Sequence, residues 1–217
     1  MTSQQSQPQM NGTLFYVHDP MCSWCWGFKP VLEELLHNLP QTVTVKRVLG
    51  GLAPDSDAPM PEAMQQMLQQ TWQRIQASIP GTEFNYDFWT ENQPKRSTWP
   101  SCRAVLAAAR QNPELESPMI SAIQEAYYLQ ARNPSETSTL VALADEIGCD
   151  TAQFAGYLHS DAARAELDKH RRTAHQLGAQ GFPGLIFANE RNEACPIAVD
   201  YHDAASMIEQ IEKANVA

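Results

Sequence analysis

The first regular pattern in the chain is an unbroken apolar run, Leu14-Phe15-Tyr16-Val17, cut off at His18-Asp19-Pro20. A short apolar run ended by proline reads as a buried strand. From Cys22 to Leu39 the period changes, with Phe28, Val31, Leu32, Leu35, Leu36 and Leu39 recurring at helical spacing. Pro30 lies inside that pattern. It lacks an N–H and crowds the preceding turn, so a kink is expected near the second turn. Val43, Val45, Val48 and Leu49 then predict a second strand, closed by Gly50-Gly51. Strand, helix and strand in so short a span imply a parallel pair with a right-handed crossover.

The middle of the chain keeps to the helical period. Met64, Met67, Leu68, Trp72, Ile75 and Ile79 share one face between Pro61 and Pro80, a stripe expected to be core. An alanine-rich helix follows over Ser101–Gln111, entered through Pro100. Ser117-Pro118 makes a cap and first turn for a helix to about Ala131. Leu140, Leu143, Ala144 and Ile147 mark another, stopped by Gly148, and Asp150 caps a short helix to Leu158. Ser160 caps a longer one to Leu177, ended by Gly178. No strand is expected between about Met60 and Ser160.

Strands return at Phe182–Ala188 and Pro196–Val199, joined by residues 189–195 as an antiparallel hairpin, before a final helix carrying Ala205, Ile208 and Ile211. Each β-containing part is incomplete alone. The expected organisation is a disordered tail over residues 1–13, one sheet-containing domain from 14–58 and 161–217, and an inserted helical domain over 59–160.

Composition narrows the class. Of 217 residues 43% are hydrophobic and 18% charged, which suits a packed core. The net charge of −10 disfavours nucleic-acid binding, which needs clustered Lys and Arg. No apolar run approaches the roughly 18 residues of a membrane span. Residues 1–13 carry neither a basic n-region nor an apolar h-region, so the expected location is the cytoplasm, where thiols stay reduced. Five cysteines are too few for a disulfide scaffold, and the odd count leaves at least one unpaired.

Cys22-Ser23-Trp24-Cys25 therefore stands out, directly after the first strand and at the start of the first helix. Unpaired N–H groups and the positive end of the helix dipole stabilise a thiolate there. Cys25, one turn deeper, should be more buried and less reactive. Cys22 is then the attacking sulfur and Cys25 the resolving one. The competing use of this spacing, half of a zinc site, needs two further ligands. Cys102, Cys149 and Cys195 are scattered singly, so no metal is expected. Gly181-Phe182-Pro183-Gly184 opens an apolar strand, and beside a strand-CxxC-helix unit a cis Phe182–Pro183 bond is expected.

The stretch from Asp19 to Phe28, DPMCSWCWGF, together with the Gly-Phe-Pro turn, resembles the DsbA-like branch of the thioredoxin superfamily. The match is to its signal-less FrnE-like, disulfide-isomerase group. The resemblance implies an α/β thioredoxin fold, βαβ…αββα around a mixed sheet, with a large all-helical insertion between the halves. It implies a thiol–disulfide oxidoreductase or isomerase with cysteine-containing protein or peptide substrates. It also implies that the backbone at Phe182 pairs with an extended substrate. No bound cofactor is expected beyond the Cys22–Cys25 disulfide itself, with glutathione or another thiol as reductant.

Two features depart from that family. Where many relatives bury a carboxylate six residues before the first cysteine, this chain has Tyr16. His18 and Asp19 lie nearer the motif, either to move protons or as a satisfied structural histidine and a turn-capping carboxylate. The Ser-Trp interior has no histidine of the kind found in strongly oxidising members. Trp24 is the candidate apolar platform for substrate, while Trp26 and Phe28 either join it or pack between helix and sheet. The run Lys169, His170, Arg171, Arg172 and His175 reads as a solvated helix face, and Cys102 as a buried small hydrophobe. Two other classes share the architecture: glutathione-dependent transferases or isomerases of the kappa or hydroxychromene-carboxylate type, and a non-catalytic peptide-binding adaptor. Two intact cysteines argue against the first, and an adaptor needs no dithiol.

Overall fold

The apolar runs align as a four-stranded mixed sheet in the order β2-β1-β3-β4. The computed structural model describes residues 10–216; of the tail expected over 1–13, residues 1–9 lie outside them. Strand β1 (Gly12–His18) pairs in parallel with β2 (Val43–Leu49), and in antiparallel fashion with β3 (Gly184–Asn189). Strand β4 (Ala194–Ile197) closes the hairpin with β3. The first strand starts two residues before Leu14, and Met10 is already buried, its carbonyl taking a hydrogen bond from Thr42. Strand β4 begins two residues earlier than Pro196. Asn189 Oδ1 accepts from the amides of Arg191 and Glu193, and Asn192 takes φ 60°, which tightens the turn.

Side-chain alternation along β1 assigns its faces. Leu14 and Tyr16 point toward helix α1 (Ser23–Asn38) and the terminal helix α9 (Ala204–Val216), packing with Phe28, Leu35, Met207 and Ile211. Val17 points the other way, with Val48 and Ile186 against Ala174 of α8 (Asp161–Gln176). Helix α1 continues through Pro30, which sits on its exposed side.

Between the two β-containing parts run α2 (Glu62–Ser78), a short α3 (Phe88–Glu91) that the hydrophobic pattern does not announce, and α4 (Trp99–Gln111). Then come a 3-10 turn at Pro113–Leu115, α5 (Glu116–Tyr128), α6 (Thr137–Glu146) and α7 (Thr151–Leu158). Their core gathers Trp72, Ile75, Val105, Met119, Ile123, Leu140, Leu143 and Phe154, and also takes in Met21 and Leu49 from the edge of the sheet.

Four expectations change here. Helix α4 starts at Trp99, two residues before Ser101. Helix α5 is preceded by Leu115 rather than capped by Ser117, and ends at Tyr128, because Ala131 turns left-handed at φ 53°. Only the C-terminal half of the α2 stripe is core: Trp72, Ile75 and Ile79 are buried, whereas Met67 is 49% exposed. The basic run on α8 is not a solvated face throughout. His170 is half-buried, its Nδ1 accepting the Leu49 amide at 3.2 Å, and the Arg171 guanidinium lies 4.2 Å over the Trp99 ring.

Candidate redox site

Strand β1 delivers its chain to the start of α1 through a turn, and both cysteines sit at that junction. Cys22 is the N-cap residue of α1, not part of its first turn; its sulfur accepts the Cys25 amide at 3.3 Å. The Cys22 thiol donates to the Phe182 carbonyl at 3.5 Å, which joins the dithiol to the Gly-Phe-Pro turn 160 residues away. The Phe182–Pro183 bond is cis. Cys22 retains 5% exposure and Cys25 none. Burial pushes the Cys25 thiol well above its ordinary range, and the adjoining Cys22 sulfur pushes it further.

Asp19 is a fully buried carboxylate held by four donors. They are the Met21 and Leu52 amides at 2.8 and 2.7 Å, the Thr98 hydroxyl at 2.6 Å and the Cys102 thiol at 3.5 Å. Burial raises its pKa, and these hydrogen bonds pull against that rise. The residue thus caps its own turn, as expected, but also straps that turn to α4. Its carbonyl accepts the Cys22 amide at 3.0 Å.

His18 corrects the expectation of a satisfied histidine. Its ring stacks on Tyr16 at 4.7 Å, and neither ring nitrogen has a hydrogen-bond partner. Burial, then Arg47 and His170, lower its pKa to about 3, so the imidazole is neutral. Tyr16 occupies the position of the missing carboxylate, and it shares with Cys25 a cavity of about 120 Å³, also lined by Lys29, Glu33, Arg47 and Gln124.

The aromatic residues separate. Phe28 packs fully between helix and sheet. Trp26, half-buried, instead stacks on Tyr128 at 5.5 Å and donates to the Glu83 carbonyl at 3.0 Å. Trp24, also half-buried, packs on Tyr201 at 5.2 Å. Trp26 and Tyr201 are walls of a cleft of about 540 Å³ that also includes Pro30, Val31, Ile79 and Leu129. The hydrophobic pattern holds no hint of Thr98, Leu52 or Tyr201. Gly50 reads in the sequence as a turn after the strand, with phosphate or glutathione binding as the lesser alternative, yet a Cβ there would lie 1.8 Å from the Phe182 ring. Among the described residues no group of three or more His, Cys, Asp or Glu is arranged to hold a metal ion.

A dithiol capping the first helix after a parallel strand, met by a cis-proline turn and covered by a helical layer, defines the DsbA-like class of disulfide oxidoreductase folds. A family model described as thioredoxin matches residues 15–210, and the chain belongs to that family. Its structure is similar to that of a protein provisionally named a protein disulfide isomerase from Nitrosomonas europaea, at 26% identity and a TM-score of 0.80, covering 94% of this chain and 97% of the other. It is also similar to the cytosolic disulfide reductase DsbM from Pseudomonas aeruginosa with GSH, at 26% identity and a TM-score of 0.70, covering 93% and 96%. Among curated proteins it is similar to the ClpXP adapter protein SpxH of Halalkalibacterium halodurans, 24% identical over 188 residues, or 85% of this chain. The chain spans 61% of that relative's length. Among the described residues no helix is long and apolar enough to cross a membrane.

Proposed function

We propose that the protein is a thiol–disulfide reductase or isomerase that cycles Cys22 and Cys25 through a mixed disulfide with cysteine-containing proteins or peptides. The observation that carries this reading is the cap itself: the Cys22 sulfur receives the Cys25 amide and touches the Phe182 carbonyl, while Cys25 lies sealed beneath. The Cys22 thiolate attacks a substrate disulfide, forming a Cys22–substrate bond and releasing one substrate thiolate. Cys25, once deprotonated, attacks the Cys22 sulfur, forms the Cys22–Cys25 disulfide and releases the second thiolate. Two electrons pass from the protein to the substrate. Two glutathione molecules return them and leave as glutathione disulfide, in keeping with the GSH complex of the Pseudomonas reductase.

The remaining residues have supporting tasks. The ladder with β1 begins at Gly184, so the Phe182 backbone lies beyond it, where it aligns an extended substrate strand beside Cys22. Trp24 and Trp26 supply the apolar platform, with the adjoining cleft for side chains flanking the substrate cysteine. Asp19 braces the turn that presents Cys22. The Cys25 proton leaves through the cavity shared with Tyr16, Lys29 and Glu33. A cytoplasmic setting, as for that cytosolic reductase, would keep the pair reduced and ready to donate.

In glutathione buffers of graded composition, mass spectrometry is expected to find one reversible disulfide, on the peptide containing both Cys22 and Cys25. The protein should also accelerate reduction of a protein disulfide by glutathione. Separate alkylation of the two thiols under oxidising buffers would overturn the assignment. The SpxH similarity favours a second reading, an adaptor that presents a bound protein to a partner. An adaptor would bind its client equally well after loss of Cys22.

Gly50→Ala tests the turn. The new methyl would lie 1.8 and 2.0 Å from Phe182 ring atoms, so the ring must swing away from Gly50 and shift the residue whose carbonyl meets Cys22. Exchange is expected to slow by about 10-fold or more, since misplacement by an ångström has effects of that order. The accompanying loss of stability should be only about 1–3 kcal/mol. Stopped-flow exchange rates and urea midpoints measure the two effects, and unchanged rates would show that Phe182 does not orient the reaction.

A further inference from the structure

Ser23, the first helical residue of α1, lies between the two cysteines and is tied to the helical layer rather than to the sheet. Trp72 Nε1 on α2 lies 3.0 Å from Ser23 Oγ, and Tyr128 Oη on α5 lies 3.5 Å from the same atom. An indole nitrogen only donates, so the Ser23 oxygen is the acceptor. Trp72 itself is fully buried, stacked on Phe84 at 4.8 Å, tilted against Phe88 and edged by Tyr127 and Tyr128. The same aromatic cluster leaves the buried Trp89 indole nitrogen without a partner. The Trp72 indole, by contrast, is paired, and its partner belongs to the redox turn.

The turn has need of such an anchor. A helix N-terminus is ordinarily capped by a hydroxyl or carboxylate oxygen, but here the cap is the Cys22 sulfur, a weak acceptor. Only as a thiolate does that sulfur become a strong acceptor for the Cys25 amide. The cap bond thus favours the reduced pair, provided the first turn keeps its position.

We propose that Trp72 and Tyr128 are positioning residues for the redox pair. Through Ser23 they hold the first turn of α1 in the geometry that caps the Cys22 sulfur, and so favour the dithiol over the disulfide. This rests on the reading of Cys22–Cys25 as a redox couple, and it makes the helical layer a determinant of that couple's equilibrium.

The equilibrium to measure is protein dithiol plus glutathione disulfide against protein disulfide plus two glutathione, in which two electrons leave the protein and two protons end on glutathione. Ser23→Ala is expected to move it toward the protein disulfide by about threefold or more, the range for loss of one hydrogen bond. Trp72→Phe should move it in the same direction, and Tyr128→Phe less, as its bond is longer. Ser23→Thr, which keeps the hydroxyl, should restore the parent value. The Ser23→Ala/Trp72→Phe double variant should shift no further than Ser23→Ala alone, because one acts through the other. Thermal melting of each variant checks the fold; should Trp72→Phe lose its core, Tyr128→Phe removes one oxygen from a ring that remains packed.

Parent-like equilibria in folded Ser23→Ala and Tyr128→Phe would overturn the proposal and leave Ser23 as a partner of the indole only. Multiplying shifts in the double variant would also overturn it. The readout needs only a pair that forms its disulfide. A protein that equilibrates with glutathione but turns over no protein disulfide would therefore refute the functional reading while leaving this inference standing.

Discussion

Cys22→Ser is expected to bring disulfide exchange to the background rate, whereas Cys25→Ser should keep the first attack and accumulate a mixed disulfide. The asymmetry follows from position. Cys22 caps the helix with its sulfur at the surface of the Phe182 turn, while Cys25 has no exposure, and burial raises its thiol well above the ordinary range. A thiol that cannot meet substrate and resists ionisation cannot begin the reaction, but it can finish it once the mixed disulfide places a sulfur beside it. Incubation of each variant with glutathione disulfide, followed by mass spectrometry of the intact protein, separates the roles. Cys25→Ser should carry one glutathionyl group on Cys22, and Cys22→Ser none. A glutathionyl group on Cys25 of the Cys22→Ser variant, with an unmodified Cys25→Ser, would reverse the assignment.

The protein is also expected to lose stability steeply in mild acid, with His18 as the main single source. In the folded chain the imidazole is buried without a hydrogen-bond partner, and its pKa falls from 6.5 to about 3, through burial first and then Arg47 and His170. A group whose folded pKa is depressed contributes stability that is complete above its unfolded pKa. That contribution is lost as pH falls toward the folded value. The window is therefore pH 6.5 to 3, at about 1.4 kcal/mol per pH unit, or of order 3 kcal/mol by pH 4.

Asp19 acts with the opposite sign. Its folded pKa is raised by burial, so its contribution is present in acid and lost as pH rises through that value. His170, also lowered by burial, adds a further acid-sensitive part. His18→Phe keeps an aromatic ring against Tyr16 and removes the titration. Urea midpoints between pH 7 and pH 4 should then fall much less than in the parent. An equal fall in both would place the acid sensitivity elsewhere.

Much of this site is legible in the order of amino acids, because its signals are local. The run Leu14–Val17, the two cysteines three apart and the proline after Phe182 each depend on a handful of neighbouring residues. So do the capping side chains of Asp150 and Ser160, and Gly148 and Gly178 at φ 83° and 72°. That Tyr16 stands where many relatives carry a carboxylate comes instead from the family resemblance. Element ends slip where a turn is decided by a side chain some residues away, as at Asn189, or by a left-handed residue such as Ala131.

By itself, then, the sequence determined the order of the strands and of the helices other than the short α3, and it set two cysteines three apart at the start of the first helix. Periodicity, caps and helix polarity act over a few residues and leave their mark in the chain. Only the tertiary structure decided what surrounds that pair. Thr98 meets Asp19 across 79 residues, Trp72 meets Ser23 across 49, and the Phe182 carbonyl reaches Cys22 across 160. These contacts depend on how the helical layer seats against the end of the sheet. So does the isolation of His18, since a histidine at a strand end is satisfied or stranded according to which side chains arrive from other elements. Packing sums many weak, nonspecific apolar contacts over distant segments, and no local pattern encodes which polar atoms it will bring face to face.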